Sequence, residues 1–299
     1  ETYQRGAIAI TKADGARTAV NCDENCLDPF FILGSLDQAK ALVEWSNENF
    51  NRLKEKVREI TQHGELIRIT PCVLGRRVVL KFSYFTRDAM GANMINIATD
   101  RLCRFISENV VLERYLLRSN MSSEKKAAGV NLLANYGKEV LAEVLLPKKV
   151  VYRYLNSSPE EIARSWHSWA LGSIHAGMLG INAQFANGLA AVFIACGQDV
   201  AHITNGSVGI NMLELTNGGD LYACIKLPNV LVGTVGGGTA LGTQRECLEI
   251  LGCYGSGKSR KLAEIIAATL LAGELGICAG ITSEEFLAPH IRASMHTRE

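Results

Sequence analysis

The stretch AQFANGLAAVFIACGQD, residues 183–199, decides the fold of this chain. Between residues 185 and 196 the only polar side chain is Asn187, and every other residue is apolar or glycine. Because a surface helix keeps a polar face, this pattern predicts a helix buried at the centre of a domain. The helix ends at a glycine, which puts the carboxylate of Asp199 at the edge of an apolar core, where burial shifts a pKa. A solvated aspartate after a helix stop is the alternative interpretation.

Length, charge and cysteine content narrow the class of protein. A chain of 299 residues suits two domains, or one large domain with an insertion. The net charge of +1 gives no electrostatic argument for binding nucleic acid or a membrane surface. Nine scattered cysteines fit reduced thiols, so we predict a cytoplasmic protein. We also predict no metal site, because Cys22 and Cys26 have no second cysteine or histidine pair nearby, and we find no sequence pattern of a signal peptide or a membrane span. The chain opens at Glu1 without a methionine, and a membrane anchor upstream stays an open alternative.

Residues 30–118 carry a compact alternation of strand and helix patterns. Ser35 begins a capping box, the sequence signal for a helix start. The order β-α-β-β-α-β is that of a ferredoxin-like split unit. We therefore predict an α+β fold, in which a small ferredoxin-like domain of residues 30–118 is inserted into a large domain, residues 1–29 and 119–299, built around the central buried helix. The predicted elements of the small domain are strands at 29–33, 66–73, 76–86 and 110–117 and helices at 35–60 and 91–106.

The rest of the chain supplies the predicted large domain. Its first 28 residues are polar and rich in turn formers, and we predict only short elements there. Ser158 and Pro159 start a helix, because serine caps free N–H groups and proline suits the first helical position. A last helix is predicted to begin at a cap formed from Thr282 and to carry His290. The other predicted elements are strands at 138–146 and 221–227 and a helix at 258–275.

Two glycine-containing turns are candidate ligand-binding sites. GTVGGGT at 233–239 follows a strand pattern and lets a ligand approach the backbone closely. RDAMGANM at 87–94 joins a strand to a helix N-terminus, which favours a phosphate. Ordinary turns explain either sequence when it is taken alone. GCYGSGKS at 252–259 fits the P-loop pattern, but no downstream strand ends in a magnesium-binding aspartate, so we reject nucleotide hydrolysis.

Several short motifs occur together in a fixed order. They are DAMGANM (88–94), EKKAA (124–128), NAQFAN (182–187), GQD (197–199), GTVGGGT (233–239) and AGEL (272–275). Together they resemble class I 3-hydroxy-3-methylglutaryl-coenzyme A (HMG-CoA) reductase, and the resemblance covers nearly the whole chain. The GQD motif places the chain nearer to class I than to class II. The family's fold, a ferredoxin-like domain inserted in a large domain, agrees with the predicted order of elements, and the resemblance implies that the small domain, residues 30–118, binds NADP.

The resemblance implies a reductase reaction. HMG-CoA would be reduced to mevalonate and free coenzyme A by two NADPH molecules, through a hemithioacetal. Lys125 would stabilise the developing oxyanion, Asp199 would tune the proton affinity of that lysine, and His290 would protonate the departing thiolate. The resemblance also implies an active site shared across a homodimer or a higher even oligomer. By position it assigns NADPH contacts to Asp88, Met90, Gly91, Asn93, Val235 and Gly236, and substrate contacts to Asn120, Glu124, Lys126 and Asn187.

Some positions depart from the family's pattern. The family's catalytic glutamate would precede Glu1, and its usual histidine in NAQFAN is Gln184 here. The arginine that meets the substrate carboxylate is replaced by Leu27, and the substrate lysine by His167. Losing an arginine–carboxylate pair costs roughly 2–5 kcal/mol of binding. Two alternatives therefore stay open: a reductase of a different acyl-CoA, with Arg118 and His167 as a relocated clamp, or a catalytically silent homologue that binds coenzyme A.

Overall fold

The computed structural model describes residues 2–134, 136–283 and 285–287 of the chain. Within them the strands form one 8-stranded sheet, and each pair of neighbouring strands is antiparallel. Helices pack on this sheet, so the fold mixes helix and sheet as predicted. The strands are β1 Arg17–Leu27, β2 Phe30–Ile32, β3 Glu65–Leu74, β4 Arg77–Phe85, β5 Arg114–Leu116, β6 Gly137–Leu146, β7 Ile210–Leu215 and β8 Leu221–Val230.

Strand β1 joins the two halves of the sheet. Its residues from Arg17 to Glu24 pair with β6, and its last residues, from Asn25 to Leu27, pair with β4. The full order is β5-β2-β4-β1-β6-β8-β7, with β3 paired to the other edge of β4. A separate apolar core lies against each half. Strand β1 therefore carries the chain from one core to the other within 11 residues.

Helices cover both halves, and capping signals explain two of their starts. The side chain of Ser35 accepts a hydrogen bond from the N–H of Gln38 at 3.2 Å, and Ser158 accepts one from the N–H of Glu161 at 3.0 Å. Both caps were predicted. The helices are α1 Thr2–Lys12, α2 Leu36–Glu48, α3 Phe50–Ile60, α4 Ala92–Asn109, α5 Val130–Leu133, α6 Lys148–Val150, α7 Pro159–His175, α8 Phe185–Ala195, α9 Ile203–Gly206, α10 Gly242–Ile250 and α11 Ser259–Thr282.

The helix buried at the centre is α11, and the prediction of a central helix at 183–199 is wrong on this point. Along α11, Leu271 and Leu275 are both fully buried. This helix is apolar and long enough to cross a membrane, but 61% of its most apolar window is buried inside the protein. In contrast, α8 buries Phe193 and leaves Ile194 63% exposed. An apolar composition shows that a helix avoids water, but not which neighbour covers each face.

The N-terminal region differs most from its prediction. The first 28 residues, predicted to hold only short elements, form α1 and β1. Helix α1 packs closely on α11, since a Cβ at Gly6 would lie 1.8 Å from the carbonyl oxygen of Ala272. Farther along, the helix predicted at 35–60 is interrupted at Asn49. Asn49 has φ −98° and ψ +16°, which departs from helical geometry, and its side-chain amide donates to the carbonyl oxygen of Trp45 at 2.9 Å.

Other predicted elements are present with changed bounds. The strand predicted at 110–117 is only β5, Arg114–Leu116, and β7 was not predicted. Helix α11 continues through Thr282, so the cap predicted there for a last helix is wrong. His290, predicted on that last helix, lies outside the described residues. The division into an inserted domain of residues 30–118 and a large domain stays a prediction.

Candidate active site

A cavity of about 630 Å³ lies where three turns meet. One turn precedes α4, one follows α8, and the third is the glycine loop at residues 233–239. A volume of this size is typical of a small-molecule site. All the residues predicted to contact NADPH line the cavity except Asp88, and the catalytic candidate Asp199 lines it too. The lining residues among the predicted set are Met90, Gly91, Asn93, Asp199, Val235 and Gly236.

The turn at residues 197–199 docks onto the glycine loop. Oε1 of Gln198 accepts a hydrogen bond from the N–H of Gly233 at 2.8 Å, and its Nε2 donates to the carbonyl oxygen of Gly233 at 2.9 Å. Gly197 has a φ of +66°, and a Cβ there would lie 2.4 Å from the carbonyl oxygen of Gly238. Conformation and space therefore both require glycine at 197. A Cβ at Gly236 would instead meet no atom within 4 Å, so this backbone is open to a ligand.

The carboxylate of Asp88 binds the N-terminus of α11. It accepts hydrogen bonds from the N–H groups of Gly257, Lys258 and Ser259 at 2.8, 3.1 and 3.1 Å. The P-loop-like sequence thus does form an anion-binding helix N-terminus, and the anion is a side chain of the same protein. Burial would raise the pKa of Asp88, but these donors outweigh burial and hold it below its usual value. Asp88 lines a neighbouring cavity of about 370 Å³.

Lys125 and Asp199, predicted to be in contact, form a salt bridge beside the main cavity. Nζ of Lys125 lies 2.8 Å from Oδ2 of Asp199. Burial would raise the pKa of Asp199, but hydrogen bonds from Lys125 and from the N–H of Ala201 lower it below its usual value. Lys125 has a φ of +58°, an uncommon conformation that clusters at functional sites. The pair can therefore present a fixed ammonium group to a ligand.

A buried histidine behind this pair was missed in the sequence. His202 is 1% exposed, and its Nε2 lies 3.9 Å from Oδ2 of Asp199. Its ring stacks on Tyr136 with centroids 5.7 Å apart. The available signal was the spacing, because residues three apart in a helical turn lie on the same face. Asp199 is the N-cap of such a turn, Val200–His202.

Leu27, the residue at which the resemblance places the family's arginine, lies in the apolar core against strands β5, β2, β4 and β3. Leu27 is 1% exposed, and the neighbouring Cys26 is buried against Tyr136. Asp28 follows them and is 2% exposed, with an Oδ1 that receives no hydrogen bond from a described residue. Burial raises the pKa of Asp28 to about 6, although Lys81 opposes this rise. A cation at position 27 would therefore enter an apolar core, next to a buried acid.

Three further residues were considered in the sequence as cationic contacts for the acyl end of the substrate: Arg118, Lys126 and His167. Each has a polar partner within the protein. Arg118 pairs with the carboxylate of Glu124 and donates to Oδ1 of Asn96 at 2.9 Å. Lys126 donates to the carbonyl oxygen of Glu124 at 3.2 Å. His167 lies exposed on α7, with its ring against a backbone carbonyl one turn earlier. Before Arg118 could clamp a substrate carboxylate, it would have to leave Glu124.

Gln184, at the usual histidine position, belongs to a buried network. The hydroxyl of Tyr3 donates to its Oε1, and its own N–H donates to Glu274 at 2.9 Å. Glu274 is fully buried, and this burial raises its pKa. The remaining substrate candidates, Asn120 and Asn187, are both exposed. The described residues contain no group of three or more side chains suited to hold a metal ion.

Comparison with known sequences identifies relatives along nearly the whole chain. A family model described as hydroxymethylglutaryl-coenzyme A reductase matches residues 2–295. The 3-hydroxy-3-methylglutaryl-coenzyme A reductase of Methanocaldococcus jannaschii is 41% identical over 289 residues, which cover 94% of this chain and 71% of that protein. The enzyme of the same name from Pyrococcus abyssi is 40% identical over 297 residues, covering 97% of this chain and 73% of the relative.

A solved structure of low sequence identity shares the fold. It is the class II 3-hydroxy-3-methylglutaryl-CoA reductase from Streptococcus pneumoniae bound to NADPH, with a TM-score of 0.75 and 19% identity. The match covers 94% of this chain and 77% of that one, and at this identity it bears on the fold alone. Together, the family model and the relatives at about 40% identity show that the chain belongs to the hydroxymethylglutaryl-coenzyme A reductase family.

Proposed function

We propose that this protein reduces HMG-CoA to mevalonate and free coenzyme A with two molecules of NADPH. The observation that carries the proposal is the 2.8 Å salt bridge between Lys125 and Asp199, at a cavity lined by the glycine loop. Membership of the family supports the same reaction. The choice of NADPH over NADH rests on the class I resemblance of the sequence.

The cavity suits a dinucleotide because part of its lining is glycine backbone, at residues 233 and 236–238. The backbone at Gly236 is open, with a φ of +77°, and α4 begins beside the cavity after Gly91. Free N–H groups at a helix N-terminus favour a phosphate. Met90 and Val235 add apolar surface at the same wall. When bound there, NADPH supplies the hydride that the thioester carbon accepts.

The role of the protein is to hold charge and protons around that carbon. As each hydride adds, negative charge develops on the carbonyl oxygen, and the ammonium group of Lys125 stabilises it. Asp199 favours the charged form of Lys125, because opposite charges in contact stabilise each other. Two protons complete the reaction: the alkoxide left by the second hydride takes one, which comes ultimately from solvent. The sulfur leaves as a thiolate and takes the other, which we assign to His290 on the resemblance alone. Asn120, Glu124, Lys126 and Asn187 are proposed to contact the substrate on the same ground.

Three finer assignments belong to this proposal. Residues 30–118 would form the ferredoxin-like cofactor domain, which the antiparallel order β5-β2-β4-β3 and its separate core support. The GQD motif at 197–199 supports class I. A reducing, cytoplasmic location is supported by the nine cysteines, all of which lie in the described residues and remain thiols.

We also propose that the protein works as a homodimer or a higher even oligomer. Large apolar side chains are exposed on two helices: Ile174 in α7 is 68% exposed and Ile194 in α8 is 63% exposed. Association of two copies would cover such side chains if they lie in one interface. Sedimentation of the protein as a monomer at micromolar concentration, with full activity, would contradict this assignment.

The test of the function is NADPH oxidation that depends on an added thioester. Protein expressed from its natural gene should oxidise NADPH when HMG-CoA is supplied, as followed by absorbance. Lys125→Ala should lower kcat by about 10²-fold or more, because a preorganised charge on the oxyanion is lost. Lys149→Ala removes an exposed lysine in α6 and should match wild type. Equal turnover by Lys125→Ala and wild type would contradict the proposal.

A second candidate function is reduction of a different acyl-CoA. It is favoured by the acyl end of the site, where Leu27 is buried and Arg118 is already paired with Glu124. Comparing kcat/KM for HMG-CoA with that for acyl-CoAs that lack the terminal carboxylate separates the two functions. A higher value for HMG-CoA rejects the second. Binding of coenzyme A without any turnover would instead point to a silent homologue.

A further inference from the structure

The side chain of His202 lies buried behind the salt bridge of Lys125 and Asp199. Its Nδ1 lies 3.1 Å from Oδ1 of Asn205, and its Nε2 lies 3.9 Å from Oδ2 of Asp199. The same oxygen of Asp199 binds Lys125 at 2.8 Å. Tyr136 stacks on the imidazole at an interplanar angle of 23°. The ring is therefore held with one nitrogen toward Asn205 and the other toward Asp199.

The contact with Asn205 bears on where the neutral ring carries its proton. Oδ1 of Asn205 faces Nδ1 of His202, and an amide oxygen can only accept, so with the amide in this orientation we assign the donor role to Nδ1. Nε2 then carries a lone pair, and this buried atom has no hydrogen-bond partner among the described residues. In this form Nε2 carries no proton, so it cannot donate a hydrogen bond to the carboxylate of Asp199. In this state Oδ2 of Asp199 is left to Lys125.

We propose that His202 is a positioning residue that sets the pH range over which Lys125 and Asp199 stay paired, an inference that rests on the proposed reductase function. When His202 takes up a proton at Nε2, that atom becomes a cationic donor facing Asp199. A movement of about 1 Å would bring it to the hydrogen-bond distance of about 2.8 Å. Protonated His202 then competes with Lys125 for the same oxygen, and the ammonium group loses its fixed position.

The surroundings of His202 determine when it takes up this proton. Burial lowers its pKa below the ordinary value, and the partners around it only partly offset burial. An ordinary histidine has a pKa of about 6.5. His202 is therefore neutral at pH 7 and gains its charge in acid. Asn205, Asp199 and Glu124 raise this pKa and Lys125 lowers it, while Tyr136 keeps its own proton because burial raises its pKa.

The test is the pH dependence of kcat in His202→Asn. The shorter amide can keep a donor facing Asn205 and places no group at the position of Nε2. In wild type, kcat should fall about tenfold per pH unit below the pKa of His202. In the variant, kcat at pH 8 should drop less than about tenfold, and the fall in acid should move at least about one pH unit lower or disappear. His63→Asn changes an exposed histidine and should follow the wild-type curve.

A second measurement does not need turnover. Titration of the imidazole signals by NMR gives the pKa of each of the 6 histidines, and the signal lost in His202→Asn identifies His202. In Asp199→Asn, the pKa of His202 should fall further, because the carboxylate that favours its charged form is gone. An unchanged pKa of His202 in Asp199→Asn would overturn the proposal.

The two measurements separate the inference from the function on which it rests. If His202→Asn keeps the wild-type fall of kcat in acid, the inference is wrong and the reductase function stands. If wild type oxidises no NADPH with any thioester, the proposed function fails, and the NMR titration alone decides whether His202 and Asp199 are coupled.

Discussion

The two ends of the site differ in how closely they follow the family's pattern. At the cofactor end, the turn at 197–199 is bonded to the glycine loop, and Met90 and Gly236 line the cavity. At the end that the resemblance assigns to the acyl group, Leu27 stands where the family's pattern has an arginine and is buried, and Arg118 is paired with Glu124. Lys125 and its partner aspartate lie beside the cofactor end.

This difference separates the type of reaction from the choice of substrate. Hydride transfer to a thioester needs a cofactor surface and a charge beside the carbonyl oxygen, and the cofactor end supplies both. Recognition of a carboxylate needs a cation aimed at it, and the acyl end holds its cations in internal pairs. The type of reaction is therefore tied to the cofactor end, and the acyl preference is the property to test.

The largest effect on stability is expected from Leu27→Arg, which introduces the residue that the family's pattern has at this position. Leu27→Arg buries a cation in the core, since Leu27 is 1% exposed, so the free energy of unfolding should fall by about 3 kcal/mol or more. Urea denaturation measures this loss. Leu116→Arg, at a site 45% exposed in β5, is the matched control and should change stability by less than about 0.5 kcal/mol. A Leu27→Arg protein that is as stable as wild type and binds HMG-CoA more tightly would contradict this prediction, because it would show that the site accommodates an arginine that binds the substrate carboxylate.

A smaller effect is expected at the cofactor end from Asp88→Asn. The neutral amide weakens the contact with the N-terminus of α11, so unfolding should become easier by about 1 kcal/mol at pH 7. The pKa of Asp88 is lowered in the folded protein. Its contribution to the free energy of unfolding is therefore fully present above the unfolded pKa of about 3.9 and is lost as the pH falls from that value through the lower pKa of the folded state. The stability difference from wild type should therefore shrink below about pH 4. Asp14→Asn, on an exposed turn, is the control, and a pH-independent difference would contradict the charge argument.

Local signals in the sequence were sufficient for much of the fold. The caps at Ser35 and Ser158 act on neighbouring N–H groups, so they are visible in a few residues. The sequence could not show which apolar helix is central, because α8 and α11 are distinguished only by their neighbours. Likewise, the burial of Leu27 depends on the pairing of β1 with β4, which joins residues far apart in the chain.

The candidate site was predictable where a motif resembles a known one. The contact of Lys125 with Asp199 came from that resemblance and is present in the structure. The partner of Asp88 was not predicted. Its carboxylate accepts hydrogen bonds from the backbone N–H groups of residues 257–259, and because every residue except proline has such a group, the sequence does not indicate which ones will donate. His202 was not predicted for a related reason. Its position behind Asp199 follows from its burial and from its contacts with Tyr136 and Asn205, which depend on the tertiary fold.

The most direct test of the account is the stoichiometry of the reaction with HMG-CoA. Protein expressed from its natural gene should oxidise two NADPH for each free thiol released, with mevalonate as the product by mass spectrometry. The rates of NADPH oxidation and thiol release should fall together, by about 10²-fold or more, in Lys125→Ala. Thiol release without NADPH oxidation, or NADPH oxidation that is independent of the thioester, would contradict it.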